Sequence, residues 1–122
     1  MKIAMPVNDK SMESGVCLSF GRAPYYLIYE SDSEEFEFID NSAAASQGGA
    51  GIKAAQQIVD EKVEAVLAPR CGQNAADVIE AAGIKIYQTE GESIQDNLTA
   101  FAQDKLLALD EIHAGFHRHR GR

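Results

Sequence analysis

The side chains best suited to hold a metal in this chain are three histidines and two cysteines, and they stand far apart. His113, His117 and His119 share the last ten residues with Arg118, Arg120 and Arg122. Imidazoles near neutrality donate readily to transition metals, and guanidinium groups attract anions. The His113–His117 spacing puts two rings on one face of a helix, and the His117–His119 spacing puts two on one side of an extended segment. Gly115 is placed to end a helix and swing the last two histidines away. The competing reading of this stretch is a frayed, solvated terminus, and His113 is the member best suited to a merely structural role.

The cysteines belong to two loops. Cys71 lies in Ala68-Pro69-Arg70-Cys71-Gly72-Gln73-Asn74, ahead of an expected helix. A helix N-terminus favours an anion or a thiolate, and Arg70 adds to that field. Cys71 is therefore either a soft-metal ligand or a small thiol filling space beside the helix. Cys17 lies in Ser14-Gly15-Val16-Cys17-Leu18-Ser19-Phe20-Gly21-Arg22, and its separation from Cys71 matches no zinc spacing. It too reads as a ligand or as an apolar filler. Leu18 and Phe20 read as packing residues. Arg22 is placed either to hold an anionic ligand or to face solvent. A tail closing over both cysteine loops would create mixed sulfur and nitrogen ligation suited to iron, copper or zinc.

Catalytic patterns are poor. GxGxxG, GxxxxGK[ST] and HExxH are all missing. Gly48-Gly49-Ala50-Gly51 superficially resembles a phosphate cradle, but it lacks the lysine and serine and follows the wrong kind of strand. Its ordinary role is a helix entrance in which Gly49 or Gly51 permits close packing. Asp9 and Glu13 have no histidine at a diagnostic spacing, and a nucleophilic Cys71 would need a base from the tail. The chain does not read as an enzyme.

Charge narrows the guest. Residues 1–112 hold eight basic and nineteen acidic side chains, net −11, and the tail brings the total to −8. That balance argues against nucleic acid, whose phosphates need basic partners. No 18-residue apolar run is present, so no membrane span is expected. Met1–Val7 is too short for a signal peptide. A cytoplasmic setting follows as an expectation, with Cys17 and Cys71 as thiols rather than a disulfide.

The elements that must position these groups read as follows. Lys2–Val7 is an apolar run suited to a central strand covered on both faces. Pro24–Glu30 and Glu35–Ile39 form a hairpin, the second arm turning Phe36 and either Phe38 or Ile39 inward. A helix over Ile52–Lys62 buries Ile52, Ala55, Ile58 and Val59. Val63–Ala68 is a buried strand. A helix over Asn74–Ala82, with Ala75, Val78, Ile79 and Ala82 toward the sheet, stops at Gly83. Ile84–Tyr87 is a short strand, and Ser93 caps a helix running to Leu109. The order β-β-β-α-β-α-β-α makes one α/β domain over 1–112 with a flexible His/Arg-rich tail over 113–122. The first strand falls beside the fourth, giving a mixed five-stranded sheet of order 3-2-1-4-5 with strand 2 antiparallel. Ligands in such sheets sit at the carboxyl ends of strands, where the order reverses. Both cysteine loops emerge there.

Four stretches together carry a family resemblance. They are Lys2-Ile3-Ala4-Met5-Pro6-Val7; Phe20-Gly21-Arg22-Ala23-Pro24-Tyr25-Tyr26-Leu27-Ile28; Gly48-Gly49-Ala50-Gly51; and Val66-Leu67-Ala68 through Cys71-Gly72-Gln73-Asn74-Ala75 to Ala82-Gly83-Ile84-Lys85-Ile86-Tyr87. In order and total length the chain resembles the dinitrogenase iron–molybdenum cofactor biosynthesis family, and within it the small stand-alone NifX/NifY-like members. The resemblance implies a three-layer ribonuclease-H-like α/β fold, without nuclease chemistry. Nitrogenase members of that family bind or carry iron–molybdenum cofactor or its precursor, and a related small protein carries a molybdenum–copper sulfide cluster. It also implies a groove beside Asn8–Phe20, Ser42–Gly51 and Arg70–Asn74.

The combined expectation is noncatalytic binding, storage or delivery of an anionic iron–sulfur or molybdenum-containing cluster. Arg22, Gly49, Arg70, Gly72 and Asn74 would contact the guest. Cys17, Cys71, His113, His117 and His119 would ligate its metal. Cluster donor or acceptor proteins would be its partners, and the oligomeric state stays open. The alternative is a small regulatory or interaction domain without a cofactor.

Overall fold

The computed structural model describes residues 1–43 and 48–109. The chain runs β1 (Lys2–Val7), β2 (Tyr25–Glu30), β3 (Phe36–Asp40), α1 (Ala50–Asp60), β4 (Ala65–Ala68), α2 (Gln73–Ala81), β5 (Lys85–Gln88) and α3 (Ile94–Ala102). The sheet order is β3-β2-β1-β4-β5, as expected. Strand β1 pairs antiparallel with β2, Met5 opposite Leu27, and parallel with β4, Ile3 opposite Ala65.

Alternation along the strands sorts the core into two layers. Ile3, Met5, Val7, Leu27 and Leu67 join Ile94 and Leu98 of α3 on one face. Ala4, Tyr26, Ile28, Val66 and Ile86 meet α1 and α2 on the other. A central strand covered on both faces has no wet side, which is why β1 carries no charge after Lys2. On the second face, α1 and α2 present alanine to the core at Ala54, Ala55, Ala75 and Ala76. Small side chains let the helices approach closely enough for Ile58 and Ile79 to be fully buried.

Several expectations need correction. Helix α3 ends at Ala102, not Leu109. Asp104 takes a left-handed φ of 63°. The Asp104 N–H donates to the Phe101 carbonyl and the Lys105 N–H to the Ala100 carbonyl. That is a Schellman stop with aspartate where glycine is usual, so no sequence signal marked it. Beyond it the chain turns along the outer edge of β5. The Gln88 N–H donates to the Leu107 carbonyl, and Tyr87 bridges Ala108 antiparallel. Leu106 enters the α3-side core and Leu109 the α1/α2-side core.

Phe36 is 51% exposed rather than inward, because β3 is an edge strand. Phe38 and Ile39 are half-buried, packed on opposite cores. In α1 the buried stripe is Ala50, Ala54, Ala55 and Ile58, and Ile52 faces out. In α2 it is Ala75, Ala76 and Ile79; Ala82 is exposed at the cap.

Candidate functional site

Three segments meet at the carboxyl edge of the sheet, next to the point where strand order reverses. They are Leu18–Arg22 from the β1–β2 loop, Gly49–Ile52 at the start of α1, and Arg70 with Gly72–Ala75 leading into α2. Together they enclose an open groove of about 580 Å³.

Two features fix its walls. The first is a close backbone approach. A Cβ on Gly21 would stand 3.0 Å from the Gly51 Cα and 3.2 Å from its nitrogen, both backbone atoms. A Cβ on Gly51 would in turn stand 3.6 Å from that of Ala75. Loop, α1 and α2 therefore stack through glycine, glycine and alanine. The second feature is Asn41, only 7% exposed. Its amide nitrogen donates to the Gly21 carbonyl (3.0 Å) and the Ala23 carbonyl (2.8 Å). Its amide oxygen accepts from the Ala43 N–H at 2.9 Å. One buried amide thus pins the arginine-bearing loop to the end of β3.

The groove is electropositive by construction. Helix α1 starts after Gly49 and α2 after Gly72; neither start has a side-chain cap or an acid in its first turn. Gly49 sits at a left-handed φ of 67°, where an L side chain would be strained. Helix α3 is built differently. Ser93 accepts from the Asp96 N–H, and Asp96 supplies the first-turn acid. Two helix starts therefore offer the groove N–H groups and positive dipole ends that no side chain of their own helices has claimed. Arg22 and Arg70, both exposed, stand on its walls.

All five residues expected to contact a guest, Arg22, Gly49, Arg70, Gly72 and Asn74, line this groove. The two expected cysteine ligands are placed otherwise. Cys71 is 5% exposed and sits in the α1/α2-side core, and Cys17 is half-buried against the same cluster. Neither is on the groove wall. Burial, then the Glu80 charge, pushes the Cys71 thiol up to about 12. Burial thus favours its neutral thiol at neutral pH. The two thiols do converge, but on Tyr26 beneath the groove. Burial raises the Tyr26 phenol, and Cys71 and Cys17 raise it further. Its hydroxyl donates to the Phe20 carbonyl. His113, His117 and His119 lie outside the described residues. Among the described residues, no three of His, Cys, Asp or Glu are grouped to hold a metal ion. Leu18, expected to pack, is 70% exposed at the groove mouth. The tie from Asn41 to Gly21 and Ala23 carried no local sequence signal, since those partners are near only in space.

Donors of this kind suit an anion whose own coordination shell is complete. N–H groups and guanidinium ions bind the outer atoms of such a guest, not its metal. Among the described residues, no helix is long and apolar enough to cross a membrane.

Fold and groove define a three-layer ribonuclease-H-like α/β domain with a site at the carboxyl edge of a mixed sheet. The chain belongs to the dinitrogenase iron-molybdenum cofactor family, whose model matches residues 1–104. The NMR structure of a Thermotoga protein, provisionally described as a NifB protein of the DUF35 family, is similar at 35% identity. It covers 88% of this chain and 92% of that one with a TM-score of 0.77. The apo form of the orange protein from Desulfovibrio gigas is similar at 27% identity and a TM-score of 0.84, covering 88% and 91%. An uncharacterized protein of Methanocaldococcus jannaschii is 29% identical over 109 residues, 87% of this chain and 89% of its own.

Proposed function

We propose that this protein binds an anionic metal–sulfur cluster of the iron–sulfur or iron–molybdenum type in the groove and stores it or passes it to a partner protein. One observation carries the reading. Two glycine-led helix starts without side-chain caps open beside Arg22 and Arg70 on one groove, in a chain whose first 112 residues have a net charge of −11. In so acidic a body, a locally positive concavity favours a compact anion over a cation.

The guest is cargo, held through its sulfide or other outer ligands by N–H groups and guanidinium ions. Neither thiol is needed for that mode, and a groove of this openness allows release as well as capture. Family membership supports the cargo class, and a structural neighbour described in an apo form supports the idea of a removable guest. Family membership is what supports reading the protein as one of the noncatalytic, stand-alone NifX/NifY-like members. Its partners would be the proteins that donate or accept the cluster.

The test is anaerobic incubation of the full chain with a soluble iron–sulfur or molybdenum–iron–sulfur cluster, then gel filtration and elemental analysis. Metal and sulfide should co-elute with the protein in a fixed ratio. A colourless, metal-free protein peak with every cluster tried would contradict the proposal.

A further inference from the structure

Two large apolar side chains at the groove mouth are not used by the core. Leu18 is 70% exposed and Ile52 is 40% exposed, and both line the groove. Single exposed hydrophobic residues are ordinary on a protein surface. These two, however, come from different elements, the β1–β2 loop and the first turn of α1, and share one concavity with two guanidinium groups. The other large exposed apolar residues among those described, Met1, Phe36 and Leu107, lie outside it.

An anion seated in the groove therefore has alkyl carbon as well as N–H donors for neighbours. The two kinds of outer atom on metal anions respond differently to that arrangement. Terminal oxide is small and tightly hydrated, so contact with Leu18 and Ile52 strips water that nothing on those side chains replaces. Terminal sulfide spreads the same charge over a large polarisable atom, releases its water more easily and gains dispersion contact with alkyl groups.

We propose that Leu18 and Ile52 are specificity residues that select sulfide-terminated over oxide-terminated metal anions of equal charge and shape. The proposal rests on the groove being an anion site. It adds a basis for discrimination that the arginines and helix starts lack, since both would accept either anion.

Tetrathiomolybdate and molybdate, two tetrahedral dianions, are the probes. Binding is measured by anaerobic equilibrium dialysis of the full chain with molybdenum analysis, and circular dichroism checks that each variant is folded. The wild type should retain the thio anion at least about tenfold more tightly, which is about 1.4 kcal/mol. In the L18S/I52S double variant that ratio should fall below about threefold. In L107S, altered at another exposed leucine, outside the groove, it should stay at the wild-type value. Equal retention of both anions by the wild type would overturn this proposal and leave the anion groove standing. A preference that survives the double substitution would also overturn it. Retention of neither anion would remove the groove reading as well.

Discussion

Replacing Asn41 by alanine tests whether the groove wall is held by one buried amide. The substitution removes three hydrogen bonds of 3.0, 2.8 and 2.9 Å. The Gly21 carbonyl is only part-buried and can recover water. Ala23 is fully buried and Ala43 is 2% exposed, so the Ala23 carbonyl and Ala43 N–H are left without partners away from solvent. A stranded buried polar group costs about 1–3 kcal/mol, and two of them put N41A at roughly 2–6 kcal/mol. For a domain of this size that lowers the melting temperature by about 10 °C or more. N41D should do no better at neutral pH. It keeps an acceptor for Ala43 but turns the donating end into a carboxylate facing two carbonyls. Acidification restores one donor, so its deficit should narrow as pH falls. The assay is thermal and urea unfolding, paired with anion retention at a temperature where every variant is folded. N41A should also bind anion more weakly than a core truncation of similar stability, such as V66A, because the loop carrying Arg22 is released. Destabilisation below about 1 kcal/mol with binding intact would refute the reasoning.

Further outcomes follow from the same geometry. R22A and R70A should each weaken anion retention about threefold to tenfold, and the loss should shrink as salt rises. G21A drives a Cβ into the backbone of Gly51 and should cost about 1–3 kcal/mol in unfolding experiments, with weaker anion retention. Thiol labelling at pH 8 should modify Cys17 first and leave Cys71 largely untouched until the protein unfolds. The folded-state value of Cys71, about 12, lies above its ordinary 9.0. Stability from the neutral thiol is therefore present below about pH 9 and lost as pH rises toward 12, with the raised Tyr26 phenol acting in the same direction. Melting temperature should fall through that alkaline window, and less steeply in C71A.

Strand order was legible because each cue was local and redundant. Lys2–Val7 has no polar face, the paired tyrosines and phenylalanines mark a hairpin, and helical crossovers force the remaining strands parallel. The stop at Gly83 was readable for the same reason. The stop at Asp104 was not, because a residue with a Cβ occupies the left-handed position there. Arg22, Arg70 and Gly72 could be put on the groove in advance since each sits on a loop leaving the carboxyl edge, and Gly49 and Asn74 came with the groove segments that the family resemblance implied. The position of the cysteines off the groove wall was not legible, for a physical reason. Loop position does not reveal on which side of the backbone a thiol lies, and Cys71 turns into the core. The clamp made by Asn41 was silent because the carbonyls it donates to lie 18 and 20 residues away, at Ala23 and Gly21. Leu18 and Ile52 looked like core residues because composition cannot distinguish an apolar side chain that packs from one that rims a groove.

The most direct test compares metal retained after anaerobic cluster loading by the full chain, by R22A/R70A and by C17A/C71A, each checked for folding. Wild-type and thiol-free protein should carry the same amount of metal and sulfide, while the arginine double variant should lose most of it. Loss in the thiol-free protein with retention in the arginine variant would show that the cluster is held by sulfur rather than by the charged groove.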